Sequence, residues 1–170
     1  MAMLLFETTI GTSGVSWSEV GITEVVMPRS RHLSGRPLDA SSDMPETVRE
    51  AIAGMVALLD GERRDLRWIE LDERDLDSFR RRVYAATRDV PPGGTASYGD
   101  VARAIGEPRA AREVGVALAR NPFPIIVPCH RVLASTGALH GFSAPGGVAT
   151  KRRMLEIERA PGFAQETLFA

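Results

Sequence analysis

Pro128-Cys129-His130-Arg131 sets the only thiol of the chain directly before an imidazole and a guanidinium. A nearby cation lowers a thiol pKa and favours the thiolate, the nucleophilic form. Prolines at 124 and 128 restrict the backbone on both sides of the apolar run Ile125-Ile126-Val127, so the thiol is held in place rather than carried on a mobile loop. A lone cysteine is more often a small buried hydrophobe, and adjacency in sequence does not make side chains meet. The cluster supports a reactive thiol beside that plainer alternative.

The composition of the 170 residues is that of a soluble globular protein, 44% hydrophobic and 25% charged. One cysteine cannot form an internal disulfide, and with three scattered histidines it gives no zinc-ligand spacing, so the fold must rest on its core. No apolar run approaches the roughly 18 residues needed to span a bilayer, and no leader segment is evident; a cytoplasmic protein, or in a eukaryote a nuclear one, is expected. The net charge of −1 hides an asymmetry: residues 1–78 carry 15 acidic and 8 basic side chains, residues 79–170 carry 7 and 13. The basic half suits an anionic partner.

The elements that must position the thiol are legible in outline. Met3–Thr9, Gly14–Ser18 and Ile22–Met27 read as strands, with turns at Gly11–Gly14 and Glu19–Gly21. Pro28–Ser42 reads as a loop. Asp43-Met44-Pro45-Glu46 has the pattern of a capping box ahead of a helix that ends at Asp60-Gly61. Trp68–Leu71 is a candidate edge strand, and the acidic run ending at Asp77 marks the expected domain boundary. Beyond it the chain reads as helical: Ser78, as cap, to about Thr87, Tyr98–Ile105, Arg109–Arg120 and Val148–Arg159, the last with Leu155 and Ile157 inward. The second and third of these, joined by a Gly-containing turn, fit a helix-turn-helix. The fold class is α+β: a small N-terminal sheet-and-helix domain (1–77), then a mostly helical domain with a helix-turn-helix (78–170). Ala110, Ala111, Gly115, Ala117 and Ala119 make the second helix of that motif unusually small, which fits either close core packing or close approach to another surface.

The run Asn121-Pro-Phe-Pro-Ile-Ile-Val-Pro-Cys-His-Arg-Val132 closely resembles the active-site segment of the methylated-DNA–protein-cysteine methyltransferases, the O6-alkylguanine-DNA alkyltransferases. The resemblance extends through Thr95-Ala-Ser-Tyr98-Gly, Pro108-Arg-Ala-Ala-Arg112-Glu-Val-Gly115, Ser135-Thr-Gly137, Gly141-Phe-Ser143 and Lys151 to Glu158, covering 78–159 in order. It implies a single-use repair protein that flips an O6-alkylguanine out of duplex DNA and moves the alkyl group onto its own cysteine. Position by position, it implies Cys129 as nucleophile and acceptor. His130 is implied as the base acting through a water, with Glu158 orienting it. Tyr98 would be the phenol that protonates the departing guanine, and Asn121 the hinge between recognition helix and active-site strand. Arg112 would be inserted into the stack where the base was and, with Ala110, Ala111, Tyr98 and Arg131, would contact DNA, and Val132, Phe142 and Ser143 would line the substrate pocket.

The physics fits: a base buried in a duplex must be flipped before chemistry, and a flat helix suits the shallow minor groove. Taken singly, the residues keep plainer readings. Tyr98 could be a buried aromatic, Arg112 a solvated helix charge, and Glu158 an exposed partner of Arg152, Arg153 or Arg159. His32 and His140 carry no pattern. The chain departs from the family in Phe142, where many members have Tyr, and in an insertion at Ala144-Pro145. It also lacks N-terminal cysteines for the structural zinc of some members, so no metal and no cofactor are expected. The partner implied is double-stranded DNA bearing O6-alkylguanine, with O4-alkylthymine as a second candidate lesion, bound by a monomer without any membrane. Competing readings are a damage sensor without transfer, a helix-turn-helix regulator and a cysteine hydrolase.

Overall fold

The computed structural model describes residues 3–39, 43–139 and 146–164. The chain opens with a hairpin, β1 (Leu4–Thr8) against β2 (Gly11–Trp17), which continues antiparallel into β3 (Ile22–Val26). The first turn is the pair Thr9-Ile10, so β2 begins at Gly11 and takes in the stretch expected to be the turn. Gly11 has φ +124°, open to glycine alone at little cost. A two-residue β4 (Arg36–Pro37) inside the expected loop pairs parallel with β1, giving the order β3-β2-β1-β4.

The candidate edge strand shrinks to one bridge, Ile22 to Leu71. Ile22 N–H donates to Glu70 O (2.9 Å) and Asp72 N–H to Ile22 O (2.8 Å). Gly21 allows this approach, since a Cβ there would lie 2.5 Å from Glu70 O. Further along β3, Val25 N–H donates to Pro122 O (2.9 Å), tying the sheet to the segment before the thiol.

Helix α1 (Glu46–Leu59) buries Val48, Ala51, Ile52, Met55, Leu58 and Leu59 on one face. The expected capping box is not formed. Pro45 is the N-cap, and its extended backbone turns its carbonyl to the N–H groups of Val48 and Arg49. Helix α2 (Ser78–Arg88) is capped one residue earlier than expected, by the Asp77 carboxylate accepting from Arg80 N–H.

Helices α3 (Tyr98–Ala104) and α4 (Ala111–Ala119) form the helix-turn-helix. A Ser97–Asp100 capping box starts α3, and Gly106 at φ +76° ends it, with Glu107 N–H returning to Ala102 O. Helix α2 holds the pair together. Arg82 bonds Ile105 O and Glu107 in the turn, Tyr84 OH donates to Ala117 O (2.7 Å), and Arg80 reaches Arg120 O.

The apolar segment Ile125–Val127 is a series of turns rather than a strand. Val127 N–H closes onto Phe123 O (2.8 Å), and Ile125 sits at φ +76°, a conformation that a β-branched residue holds only under tertiary constraint. Helix α5 (Gly147–Ile157) is the last helix among the described residues. Leu155 is buried as expected and Ile157 only half so, because Thr150, Lys151 and Met154 take the rest of the inward face. One apolar cluster runs from Leu4 in β1 to Met154 in α5, so both halves of the chain share it.

Candidate active site

Cys129, His130 and Arg131 form a single 3-10 turn, all three buried. In this turn the thiol lies toward Asn121, while the next two side chains converge on the two oxygens of one carboxylate, Glu158. The thiol is 9% exposed and lies near the Asn121 amide. His130, fully buried, turns Nε2 to Glu158 Oε1. Arg131 donates from Nε to Glu158 Oε2 (2.7 Å) and from its terminal nitrogen to Val90 O (2.7 Å). Glu158, at the C-cap of α5, also accepts a long bond from Gly93 N–H (3.4 Å).

Glu158 is therefore buried between His130 and Arg131, not an exposed partner of the arginines next to it in sequence. Burial alone would raise its pKa, but the histidine and guanidinium outweigh that and hold it at about 2. Desolvation acts the other way on His130 and pushes it below the usual histidine range. The ring is thus neutral beside an ionised carboxylate. With Nε2 assigned as the donor to Glu158, Nδ1 keeps a lone pair, and no group among the described residues satisfies that buried atom. A neutral imidazole with a free nitrogen is equipped to take a proton.

The expected effect of neighbouring cations on the thiol is not what dominates. Burial pushes the Cys129 thiol up, and the Asn121 hydrogen bond and the Lys151 charge only oppose it. Arg131 cannot help, because its guanidinium is spent on Glu158 and Val90. For the same reason Arg131 does not face outward to a DNA backbone, which corrects its assignment as a DNA contact. Its work is inside the protein.

Two short strands bring Tyr98 to this place. β5 (Ala96–Ser97) pairs parallel with β6 (Val132–Leu133), which sets the first residue of α3 beside the strand that follows the 3-10 turn. Tyr98 is half-buried, and burial first, then the Cys129 charge, push its phenol up, so it stays protonated. The Lys151 ammonium lies 5.8 Å from the Tyr98 ring centroid and donates to Val132 O (2.6 Å). Lys151, the one lysine of the chain, stands out in the sequence only as part of a motif; its burial cannot be read from a lone cation on an amphipathic helix.

Asn121 follows α4 and clamps the turns ahead of the thiol. Its Nδ2 donates to Val127 O (2.9 Å) and its Oδ1 accepts from Phe123 N–H (2.9 Å). It acts as a fastener at the junction it was expected to hinge. Val132 is buried, its carbonyl held by Lys151. Phe142, Ser143, His140 and the Ala144-Pro145 insertion lie outside the described residues.

On α4 the exposed face carries Arg112, Val116 and Ala119 at helical spacing. Ala117 is buried against α2, and Ala110 and Ala111 are half-buried at the helix start. The small residues thus serve both readings, close packing inside and low relief outside. Among the described residues the Arg112 side chain is exposed and makes no hydrogen bond or ion pair. No group of three or more His, Cys, Asp or Glu side chains among them could hold a metal, and none of their helices is long and apolar enough to cross a membrane.

A helix-turn-helix followed by a buried thiol and a buried His130–Glu158 pair defines a class: a nucleic-acid-binding type of fold built around a buried cysteine. Residues 78–160 match the 6-O-methylguanine DNA methyltransferase DNA-binding domain. The chain is 34% identical over 158 residues to the methylated-DNA–protein-cysteine methyltransferase of Methanosarcina acetivorans, covering 93% of this chain and 98% of that protein. With that of Mycobacterium tuberculosis it shares 48% identity over 101 residues, a match spanning 59% of either chain. Among solved structures, the M. tuberculosis O6-methylguanine methyltransferase superposes with a TM-score of 0.75 at 33% identity, over 98% of this chain and 96% of that one. The M. tuberculosis OGT in complex with DNA gives 0.72 at 34% identity, over 94% and 93%. The chain belongs to the methylated-DNA–protein-cysteine methyltransferase family.

Proposed function

We propose that this protein repairs duplex DNA by taking the alkyl group of O6-alkylguanine onto Cys129. The observation that carries this is the buried relay, in which an ionised Glu158 orients a neutral His130 whose Nδ1 is free to accept a proton. His130 takes the thiol proton through a water, and the sulfur attacks the alkyl carbon. The S–C bond forms as the C–O6 bond breaks, and the leaving guanine regains a proton from the Tyr98 phenol. Nothing in this site cleaves the stable C–S bond of the thioether that forms, so each molecule reacts once.

The exposed face of α4, with Arg112 at its start, is the DNA-contacting surface in this reading, and exposed arginines of the basic half add sequence-independent phosphate attraction. Residues 78–170 act as the DNA-binding and transfer domain and 1–77 as a smaller supporting domain. The protein works as a monomer in the cytoplasm, with O4-alkylthymine as a second lesion.

Intact mass after one exposure to O6-methylguanine duplex tests the proposal. One alkyl group per chain is expected, mapped to Cys129 and absent in Cys129→Ala. No adduct, or more than one turnover per chain, overturns it.

A further inference from the structure

Glu158 is held from two sides by one short loop, residues 90–93. Val90 lends its carbonyl to Arg131, and Gly93 lends its N–H to Glu158 directly. The Gly93 N–H and the Pro92 C=O belong to the same peptide group. That carbonyl accepts a hydrogen bond from Arg63 (2.9 Å), a residue of the N-terminal half outside the stretch matched to the DNA-binding domain. Gly93 sits at φ +83°, a conformation that favours glycine, and a Cβ there would come within 2.5 Å of the Arg63 guanidinium, so this side chain lies close against the loop. Nearby, Arg88 bonds Leu66 O and Ile69 O (both 2.9 Å), fixing the same N-terminal segment against the start of the loop.

We infer that Arg63 is a positioning residue for the transfer reaction, acting on Glu158 through the Pro92–Gly93 peptide. A cation on the carbonyl end of a peptide polarises its N–H and strengthens the bond that N–H makes to a carboxylate. The N-terminal half thereby reaches the proton relay without touching DNA or substrate. Removing Arg63 loosens the loop and weakens one donor to Glu158, which leaves the carboxylate charge more available to His130. The imidazole then becomes easier to protonate and a poorer base at low pH. This inference rests on the proposed transfer reaction for its rate effect, but its effect on His130 does not.

The test compares the unsubstituted protein with Arg63→Ala and Arg63→Lys. The His130 ring is followed by NMR through a pH titration, in low and in about 0.5 M salt, where surface charge effects are largely screened. Single-turnover transfer is measured at saturating O6-methylguanine duplex across the same pH range. In Arg63→Ala the His130 titration should move to higher pH in both salts, the acid limb of the rate profile should move with it, and transfer at neutral pH should slow about two- to fivefold. DNA affinity should stay unchanged, and Arg63→Lys should restore most of the loss. An unmoved His130 titration, or a shift that vanishes in salt, overturns the inference. So does a loss confined to DNA affinity. If the unsubstituted protein forms no adduct, the transfer proposal fails, and the His130 titration still decides the role of Arg63.

Discussion

Arg131 and Glu158 meet inside the protein at 2.7 Å, 27 residues apart in sequence, with both side chains almost wholly removed from solvent. The pair fixes the carboxylate that His130 leans on, so the residue next to His130 in sequence supports it through a third residue at the end of another helix. Arg131→Met leaves Glu158 without its charge partner, and losing half of a buried pair costs about 3–5 kcal/mol. Urea unfolding at pH 7 should show that loss, with Arg131→Lys intermediate because an ammonium cannot serve Glu158 and Val90 in the same fixed fork.

Acid should destabilise the fold in two windows. Glu158 is held at about 2 against its usual 4.5, so above pH 4.5 the pairing contributes in full. As pH falls from 4.5 toward 2 the unfolded chain takes up a proton that the folded one refuses, and about 3 kcal/mol is lost. His130, pushed below its usual 6.5, acts in the same direction from a higher starting pH: the unfolded ring protonates first. Unfolding midpoints should therefore decline below pH 6.5 and fall further below 4.5. Glu158→Gln should make the second decline shallower, the remainder coming from carboxylates such as Asp72 and Asp100 that are also held low.

The resting sulfur should be a thiol. Burial lifts Cys129 above its usual value of 9.0, so it should react with iodoacetamide at pH 7 more slowly than free cysteine does. The rate should still be rising at pH 9. A plateau near neutral pH would show a preformed thiolate and remove the need for His130 as base.

Arg112→Ala should leave circular dichroism and unfolding unchanged, because the side chain is exposed on α4. Repair of O6-methylguanine duplex should nonetheless slow by tenfold or more, since an inserted side chain offsets part of the few kcal/mol needed to extrude a base. Unfolding of the variant would make Arg112 structural.

Tyr84→Phe serves as the converse case. Its hydroxyl donates to Ala117 O within the core, so the variant should lose about 1–2 kcal/mol of stability through one buried hydrogen bond. Transfer at saturating DNA should be unaffected, because Tyr84 braces α4 from the side away from Arg112.

Elements with strong local signals are legible in the order of residues. Ser97 ahead of Tyr98, Gly106 after Ala104 and the spacing of Val114, Ala117 and Leu118 set the helix-turn-helix from short-range chemistry alone. The capping box expected at Asp43 does not form because Pro45 already turns its own carbonyl to the orphan N–H groups. The apolar run Ile125–Val127 has no period of its own to say what it forms, and Asn121 fastens it into turns from outside.

The candidate site divides along the same line. Local order places Cys129 beside His130, and the resemblance of the surrounding motifs to a known family singles out Glu158 and Tyr98, whose own residue types gave only plainer readings. What each group does is decided in three dimensions. Burial, not the adjacent cations, governs the thiol, and Arg131 turns inward because Glu158 arrives from α5 and Val90 from the loop after α2. Hydrogen-bond partners and desolvation depend on which segments meet, and that information is absent from the order of residues in any one of them.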